Sequence, residues 1–152
     1  MAAIFNQGIV DGFNTEPEPI SVNRMLAFIE EHGADYPIIV AQQDEILGWA
    51  ALNRYSPQVS KRGVVDISIY NDRRFRGQGI GKLLLVRLEE LAVEYGFHKI
   101  IATTYPHNKA SRALFERREF RYVGVFEAHA SVAGELVDIL IFEKILRQTV
   151  AQ

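Results

Sequence analysis

A run of alternating glycines between a strand and a long helix constrains this chain more than any other feature of its sequence. The run, 76–81, reads RGQGIG and follows the alternating apolar segment 64–70. Glycine lets a backbone turn sharply and approach a ligand closely, and the first turn of a helix presents unpaired N–H groups at the positive end of the helix dipole. We therefore predict an anion cradle suited to a pyrophosphate, to which Arg76 and its basic neighbours Arg73 and Arg74 add charge. The alternative is a tight strand-to-helix turn that binds no ligand.

Two common phosphate-binding motifs fit this run poorly. A P-loop requires G-x-x-x-x-G-K-[ST], but only three residues separate Gly77 from Gly81, and Lys82 is followed by Leu83. A dinucleotide fingerprint requires G-x-G-x-x-G, and here the third glycine comes one residue early. Spacing therefore favours a different kind of pyrophosphate ligand.

Composition excludes several classes of function. The 152 residues are 48% hydrophobic, with no repeat or linker, which predicts one domain over residues 1–152. A net charge of -2 provides no field that would favour nucleic acid. The chain has no cysteine, and its four histidines lack metal-ligand spacing. No apolar run could span a membrane and no export signal is visible, so we expect a cytoplasmic protein with no metal, nucleic-acid or membrane partner.

Hydrophobic periodicity predicts an α/β (α+β) fold with a mixed central sheet and helices on its faces. Ser21 is expected to cap the second helix and Asn108 the last, and the alternation of Val64–Tyr70 places Val65, Ile67 and Ile69 on one side of a strand. The predicted order is helix 3–10, helix 22–32, strands 37–42, 46–53 and 64–70, helix 79–95, strand 100–104, helix 109–118, and strands 120–126 and 137–143.

The sequence resembles the GNAT acetyltransferase superfamily, whose signature Gln/Arg-x-x-Gly-x-Gly/Ala is matched by Arg76, Gly79 and Gly81. The resemblance is strongest to the phosphinothricin and methionine sulfone acetyltransferase branch. It implies the GNAT fold, in which the fourth and fifth strands of the family splay apart (the β4–β5 pair in the family's order). It also implies transfer of an acetyl group from acetyl-CoA to the primary amine of a small molecule, such as phosphinothricin, methionine sulfone or methionine sulfoximine. The segments that carry it are 4–6, 13–17, 66–70, 107–111 and, more weakly, 134–138.

The resemblance also implies how the chain would hold acetyl-CoA. The end of the splayed strand pairs its backbone with the pantetheine arm, Asn108 bonds the same region, and Ser111 lies close to the CoA end. Backbone groups of the glycine run hold the pyrophosphate. The residues implied are Ile69, Tyr70, Asn71, Arg76, Gly77, Gln78, Gly79, Ile80, Gly81, Lys82, Asn108 and Ser111.

The chemistry asks for a proton acceptor and for donors to a developing oxyanion. Backbone N–H groups at the splayed strand can stabilise the oxyanion, and a carboxylate can take the amine's proton directly or through water. Asp66 stands where this branch has a glutamate proposed as general base. Asp66 is one methylene shorter than that glutamate, which favours a water relay. The alternative interpretation is that Asp66 is a solvated or ion-paired strand carboxylate with no catalytic role. Glu16 is the second catalytic candidate.

Two departures from the family pattern concern the fold and the leaving group. The branch begins with a strand, whereas this chain starts at the following helix. The first strand is then dispensable, or a sheet edge stays open, or a partner supplies a strand. Many family members carry a tyrosine on the last helix that protonates the thiolate, and segment 113–116 has none. The thiolate then leaves unassisted, or Tyr105 or His107 helps.

Further departures concern the acceptor and one backbone position. Gln58 and Lys61 occupy positions that in the branch often hold an arginine and a tyrosine, and Leu136 replaces a frequent tryptophan. Glu119 replaces the glycine that usually ends the last helix, which costs about 1 kcal/mol if its φ is positive.

These departures leave the acceptor open. A polyamine, an aminoglycoside or a protein amine would also suit the altered positions Gln58 and Leu136. The missing strand and phenol are compatible with a non-catalytic acetyl-CoA-binding domain. We expect a homodimer, because family members often dimerise and the final strands are apolar enough to pair.

Overall fold

A six-stranded sheet organises residues 1–146, the part of the chain that the computed structural model describes. The end of the predicted domain, 147–152, lies outside the described residues. Two short 3₁₀ turns, Val59–Lys61 and Arg73–Phe75, flank the third strand. The helices are α1 Ala2–Val10, α2 Val22–Glu31, α3 Ile80–Glu94 and α4 Lys109–Arg117, and the strands are β1 Ile38–Gln42, β2 Ile46–Arg54, β3 Val64–Asn71, β4 Lys99–Thr104, β5 Arg121–Val132 and β6 Glu135–Ile145.

The predicted order of elements is confirmed. The strands lie in the order β1-β2-β3-β4-β6-β5, and all neighbours are antiparallel except β3 and β4. Within residues 1–146 no strand precedes α1, and β1 forms an edge of the sheet. The final hairpin is longer than predicted because β5 bulges between Phe126 and Ala130. Ala128 adopts φ 48 there and donates its N–H to Asp138 Oδ1 at 2.8 Å, which interrupts the alternation that sequence periodicity can detect.

Helices cover both faces of the sheet, as predicted. On one face, α3 and α4 pack onto a core that includes Leu52, Val65 and Phe142, and Ile67 and Ile69 of β3 contact the same core. On the other face, α1 and α2 pack around the almost fully buried Trp49 together with Tyr70. The strand β3 therefore separates two apolar layers, which fixes its orientation in the fold.

The parallel pair β3–β4 holds together over only three residues of each strand. Val64, Val65 and Asp66 pair with 99–101, after which β3 continues along β2 and β4 continues along β6. The predicted splay of two neighbouring strands is confirmed for β3 and β4, and it begins at Asp66. Beyond that residue, the side of β3 that faces β4 has no strand partner within residues 1–146.

The ends of the helices position the site. Asn108 caps α4 by accepting the N–H of Ser111 at 3.1 Å, and Ser21 caps α2 in the same way through Arg24 at 3.1 Å. Gly79 begins α3 with φ 85. Glu119 follows α4 with φ 61, the strained left-handed conformation that the missing glycine predicts.

Candidate active site

The splay opens into a cavity of about 780 Å³ between β3, β4 and the beginnings of α3 and α4. Gln78 and Glu16 are exposed and lie off its wall, and Ile80 packs against the core instead. The other predicted site residues line the cavity together, namely Asp66, Ile69, Tyr70, Asn71, Arg76, Gly77, Gly79, Gly81, Lys82, Asn108 and Ser111.

The glycine run forms one end of this cavity, and we name residues 76–82 the cofactor cradle. Gly77 and Gly79 have φ 76 and 85, and apart from the adjoining chain no atom lies within 4 Å of the place where a Cβ would stand on either. The first N–H groups of α3 lie in the same run and have no partner within the helix. This open space beside helical N–H groups fits the pyrophosphate of CoA.

Gly81 serves a different purpose from its two neighbours. It is buried, and a Cβ there would lie 2.8 Å from Asn71 Nδ2, while a Cβ on Gly48 would lie 2.8 Å from Asn71 Oδ1. The Asn71 side chain therefore fills a slot between β2 and α3 that two glycines leave open. This slot fixes the end of β3 against the start of the cradle.

The arginines around the cradle are already paired with carboxylates. Arg74 bonds Asp72 and Glu45, and Arg73 and Arg76 both reach Asp11 at 2.7 Å. The expected extra charge from these basic residues is therefore largely compensated. The backbone N–H groups and the dipole of α3, together with the Lys82 ammonium that lines the cavity, remain as sources of positive potential in the cradle.

The opposite end of the cavity is polar and comes from separate parts of the chain. We name it the polar wall, and Asp66 lies within it at the point where β3 leaves β4. The residues of the polar wall are Thr15, Asp66, Ser68, Tyr70 and Tyr105.

Asp66 has the environment of a proton acceptor. Its Oδ1 is buried and has no hydrogen-bond partner within residues 1–146. Burial raises the pKa of Asp66, while the Asn53 side chain and the charge of His32 counteract the rise. Asn53 lies directly opposite Asp66 in the β2–β3 register, and His32 Nε2 donates to the carbonyl of Leu52 at 2.7 Å. A carboxylate whose pKa is raised binds a proton more readily than an ordinary surface aspartate.

Aromatic rings hold the polar wall in place. The ring of Tyr70 lies 4.7 Å from Trp49 and 5.1 Å from Phe5, and burial raises the pKa of Tyr70 to about 12. The phenol therefore stays protonated at neutral pH. The charges of Tyr105, Asp66 and Glu16 add smaller contributions to this rise.

The loop after α1 is attached to the end of β4 through His107. This imidazole donates from Nε2 to the carbonyl of Gly12 at 2.9 Å and stacks on Phe13 and Tyr105 at 5.6 Å each. Burial also raises the pKa of Tyr105, although Thr15 counteracts the rise. Sequence reasoning missed Asn53, His32 and Asp11. The register between neighbouring strands could have placed Asn53 opposite Asp66. No local sequence pattern predicts the contacts of His32 or Asp11.

The GNAT acetyltransferase family matches residues 5–120 of the chain. The chain belongs to that family. It is an acetyl-CoA-dependent N-acetyltransferase, and the order and splay of its strands are those that the resemblance implied.

Sequence identity and superposition show which members of the family this acetyltransferase resembles. It is 30% identical to the L-methionine sulfoximine/L-methionine sulfone acetyltransferase of Pseudomonas aeruginosa over 146 residues, which cover 93% of this chain and 84% of the relative. The phosphinothricin acetyltransferase of Sinorhizobium meliloti, solved in complex with acetyl-CoA, superposes with a TM-score of 0.90 at 26% identity and covers 99% of this chain and 84% of that one. A ribosomal-protein-alanine N-acetyltransferase from Brucella melitensis superposes with a TM-score of 0.91 at 28% identity, over 95% of this chain and 91% of that one.

Residues 1–146 offer neither a membrane-spanning helix nor a metal-binding group of side chains. No helix there combines the length and hydropathy needed to cross a membrane. No group of three or more His, Cys, Asp or Glu side chains there could hold a metal ion.

Proposed function

We propose that this acetyltransferase acetylates the primary amine of a small amino-acid analogue, with Asp66 as the general base. The observation that carries the proposal is the position of Asp66, a half-buried carboxylate with an unpartnered oxygen on the cavity wall where β3 and β4 separate. The names of relatives that act on methionine sulfoximine and phosphinothricin support the class of acceptor.

The cofactor cradle and the free side of β3 would hold acetyl-CoA, which supplies the acetyl group as a thioester. Gly77, Gly79 and the first N–H groups of α3 bind the pyrophosphate. The backbone of Ile69–Asn71, which has no strand partner on its β4 side within residues 1–146, pairs with the pantetheine arm. N–H groups of that strand end stabilise the negative charge that develops on the carbonyl oxygen. Asn108 and Ser111, at the start of α4, contact the pantetheine region and the CoA end.

Asp66 removes the proton that the acceptor amine must lose, directly or through one water. Its raised pKa makes it a stronger base than an exposed aspartate, and it is ionised only above that pKa. Glu16 is the second candidate. Because the Glu16 side chain is exposed and does not line the cavity, we rank it below Asp66 for proton transfer.

A panel of amines scored by CoA thiol release tests this proposal. It should include methionine sulfone, methionine sulfoximine, phosphinothricin, spermidine, an aminoglycoside and a peptide with an N-terminal alanine. We expect the amino-acid analogues to give the highest kcat/KM. Strong turnover of spermidine, the aminoglycoside or the peptide without turnover of the analogues would contradict the proposed acceptor class.

We also propose that the enzyme is a homodimer. The edge strand β5 exposes Tyr122, Val123 and Phe126, an apolar surface that a second copy could cover. Light scattering should give twice the 17.2 kDa of one chain. A single-chain mass at micromolar concentration would contradict the proposal. A cytoplasmic location stays a prediction from the sequence.

A further inference from the structure

Asp11, at the end of α1, contacts two of the arginines around the cofactor cradle. Its Oδ1 accepts from Arg73 Nη2 at 2.7 Å, and its Oδ2 lies 2.7 Å from Arg76 Nη1. The Asp11 side chain is 22% exposed and those of Arg73 and Arg76 are 48% and 37% exposed, so water and salt partly screen these ion pairs. Neither proton transfer by Asp66 nor the backbone of the cradle requires this carboxylate.

The same segment joins the cradle to the acceptor end of the cavity. One turn before Asp11, Gln7 Oε1 accepts the backbone N–H of Arg73 at 2.8 Å. After Asp11, the ring of Phe13 lies 5.8 Å from the Arg76 guanidinium. The loop 11–15 is thus attached to the cradle at its start, and His107 attaches it to the end of β4 through the carbonyl of Gly12.

Arg76 cannot offer its full charge to Asp11 and to an arriving anion at once. A guanidinium paired with a carboxylate at 2.7 Å has little net charge at a distance, so the pyrophosphate competes with Asp11 for it. Arg74 offers a useful contrast, because Glu45 and Asp72 hold it at comparable distances but Arg74, unlike Arg76, does not line the cavity.

We propose that Asp11 is a positioning residue that couples the two ends of the cavity. By neutralising Arg76 it weakens the binding of CoA, and by holding Arg73 and Arg76 it keeps loop 11–15, and with it Thr15 of the polar wall, in the place that the acceptor needs. This inference rests on the proposed function, because it assigns the pyrophosphate to the cradle and the acceptor amine to the polar wall.

Asp11→Asn keeps the shape of the side chain and removes its charge. In calorimetry without any acceptor, we expect the variant to bind CoA about three- to tenfold more tightly than the wild type, the size of one charge interaction near a protein surface. Dephospho-CoA should show the same gain, since it keeps the pyrophosphate and lacks only the 3′-phosphate. In steady-state assays the KM for the acceptor should rise several-fold. The matched control Glu45→Gln removes the same charge from Arg74 and should change neither quantity.

A residue that only stabilised packing would weaken both ligands, so unchanged or weaker CoA binding in Asp11→Asn overturns the inference. Arg73→Gln is the second variant, since it leaves the Asp11–Arg76 pair in place. It should raise the KM for the acceptor without tightening CoA, and tighter CoA binding there overturns the inference as well. Wild-type protein that binds CoA but acetylates none of the amines in the panel would instead defeat the proposed function, which keeps the two failures apart.

Discussion

The cofactor cradle and the polar wall face the same cavity but are built in different ways. The cradle is one continuous run, 76–82, whose function rests on backbone N–H groups and on two glycines with positive φ. The polar wall takes Thr15, Ser68 and Tyr105 from three distant parts of the chain, and its function rests on side chains. Binding of the donor's pyrophosphate is therefore encoded locally, whereas acceptor binding depends on how the helices and strands pack.

If the cofactor cradle and the polar wall act independently, removal of the proposed base Asp66 should lower the rate of acetyl transfer and leave CoA binding unchanged. Asp66→Asn is expected to lower kcat by about 10²–10⁴-fold, the usual contribution of a general base. Because the pKa of Asp66 is raised, wild-type activity should fall as the pH drops through that value, and the variant should lose this acid limb. A pH–rate profile for both proteins checks the prediction. Asp44→Asn, an exposed carboxylate in the β1–β2 turn, is the control and should behave as wild type.

The reverse test places a side chain in the cradle. Gly79→Val should weaken CoA about 10- to 100-fold, because the side chain enters the open space and displaces one or two charge-assisted hydrogen bonds to the pyrophosphate. Gly33→Val is the matched control, since Gly33 also has a positive φ of 82 with no atom within 4 Å but lies outside the cavity. Both variants should lose similar stability in thermal unfolding, and only Gly79→Val should lose CoA in calorimetry. An equal loss of CoA binding in both would mean that backbone strain, not the ligand, explains the glycine.

A third change acts on the support of the cradle. The hydrogen bond from the Arg74 guanidinium lowers the pKa of Asp72 to about 2, and the carboxylate of Asp72 is buried. Asp72→Asn should lower the free energy of unfolding by about 2 kcal/mol, because it removes a charged hydrogen-bond acceptor. The stabilisation is present above pH ~4, the pKa in the unfolded chain, and is lost as the pH falls through about 2. Urea unfolding at pH 7 and pH 2.5 checks it, and an equal difference between variant and wild type at both values would contradict the assignment.

A subtler test concerns the tuning of Asp66 by its cross-strand neighbour. Because Asn53 counteracts the raised pKa of Asp66, Asn53→Ala should move the acid limb of the pH–rate profile to higher pH. CoA affinity should stay the same, since Asn53 lies outside the cradle. A limb that stays in place would mean that the Asn53 amide has no electrostatic effect on the base.

Away from both ends, the smallest expected effect is at the end of α4. Glu119→Gly should stabilise the fold by up to about 1 kcal/mol, because glycine adopts φ 61 without strain. The greater conformational freedom of glycine in the unfolded chain offsets part of this stabilisation. The control Glu116→Gly, inside α4, should destabilise by about 1 kcal/mol. Thermal unfolding measures both, and a destabilised Glu119→Gly would contradict the backbone explanation.

Features that depend on neighbouring residues could be predicted from the sequence, whereas features that depend on contacts between distant residues could not. Hydrophobic periodicity and helix caps predicted the order of the helices and strands. The replacement of the family's glycine by Glu119 predicted the positive φ of that residue. Both predictions rest on residues that are neighbours in the sequence. The length of β5 was missed, since the bulge at Ala128 breaks the two-residue alternation. The pairing of Asp11 with Arg76 was missed because it joins residues 65 positions apart through packing of α1 on the sheet.

The most direct test of the division is one calorimetric titration of CoA into three proteins side by side, namely wild type, Asp66→Asn and Gly79→Val. We predict that Asp66→Asn, although almost inactive, binds CoA as tightly as wild type, and that Gly79→Val binds it at least about tenfold more weakly. CoA affinity lost in Asp66→Asn, or kept in Gly79→Val, would contradict the assignment of donor and acceptor to opposite ends of the cavity.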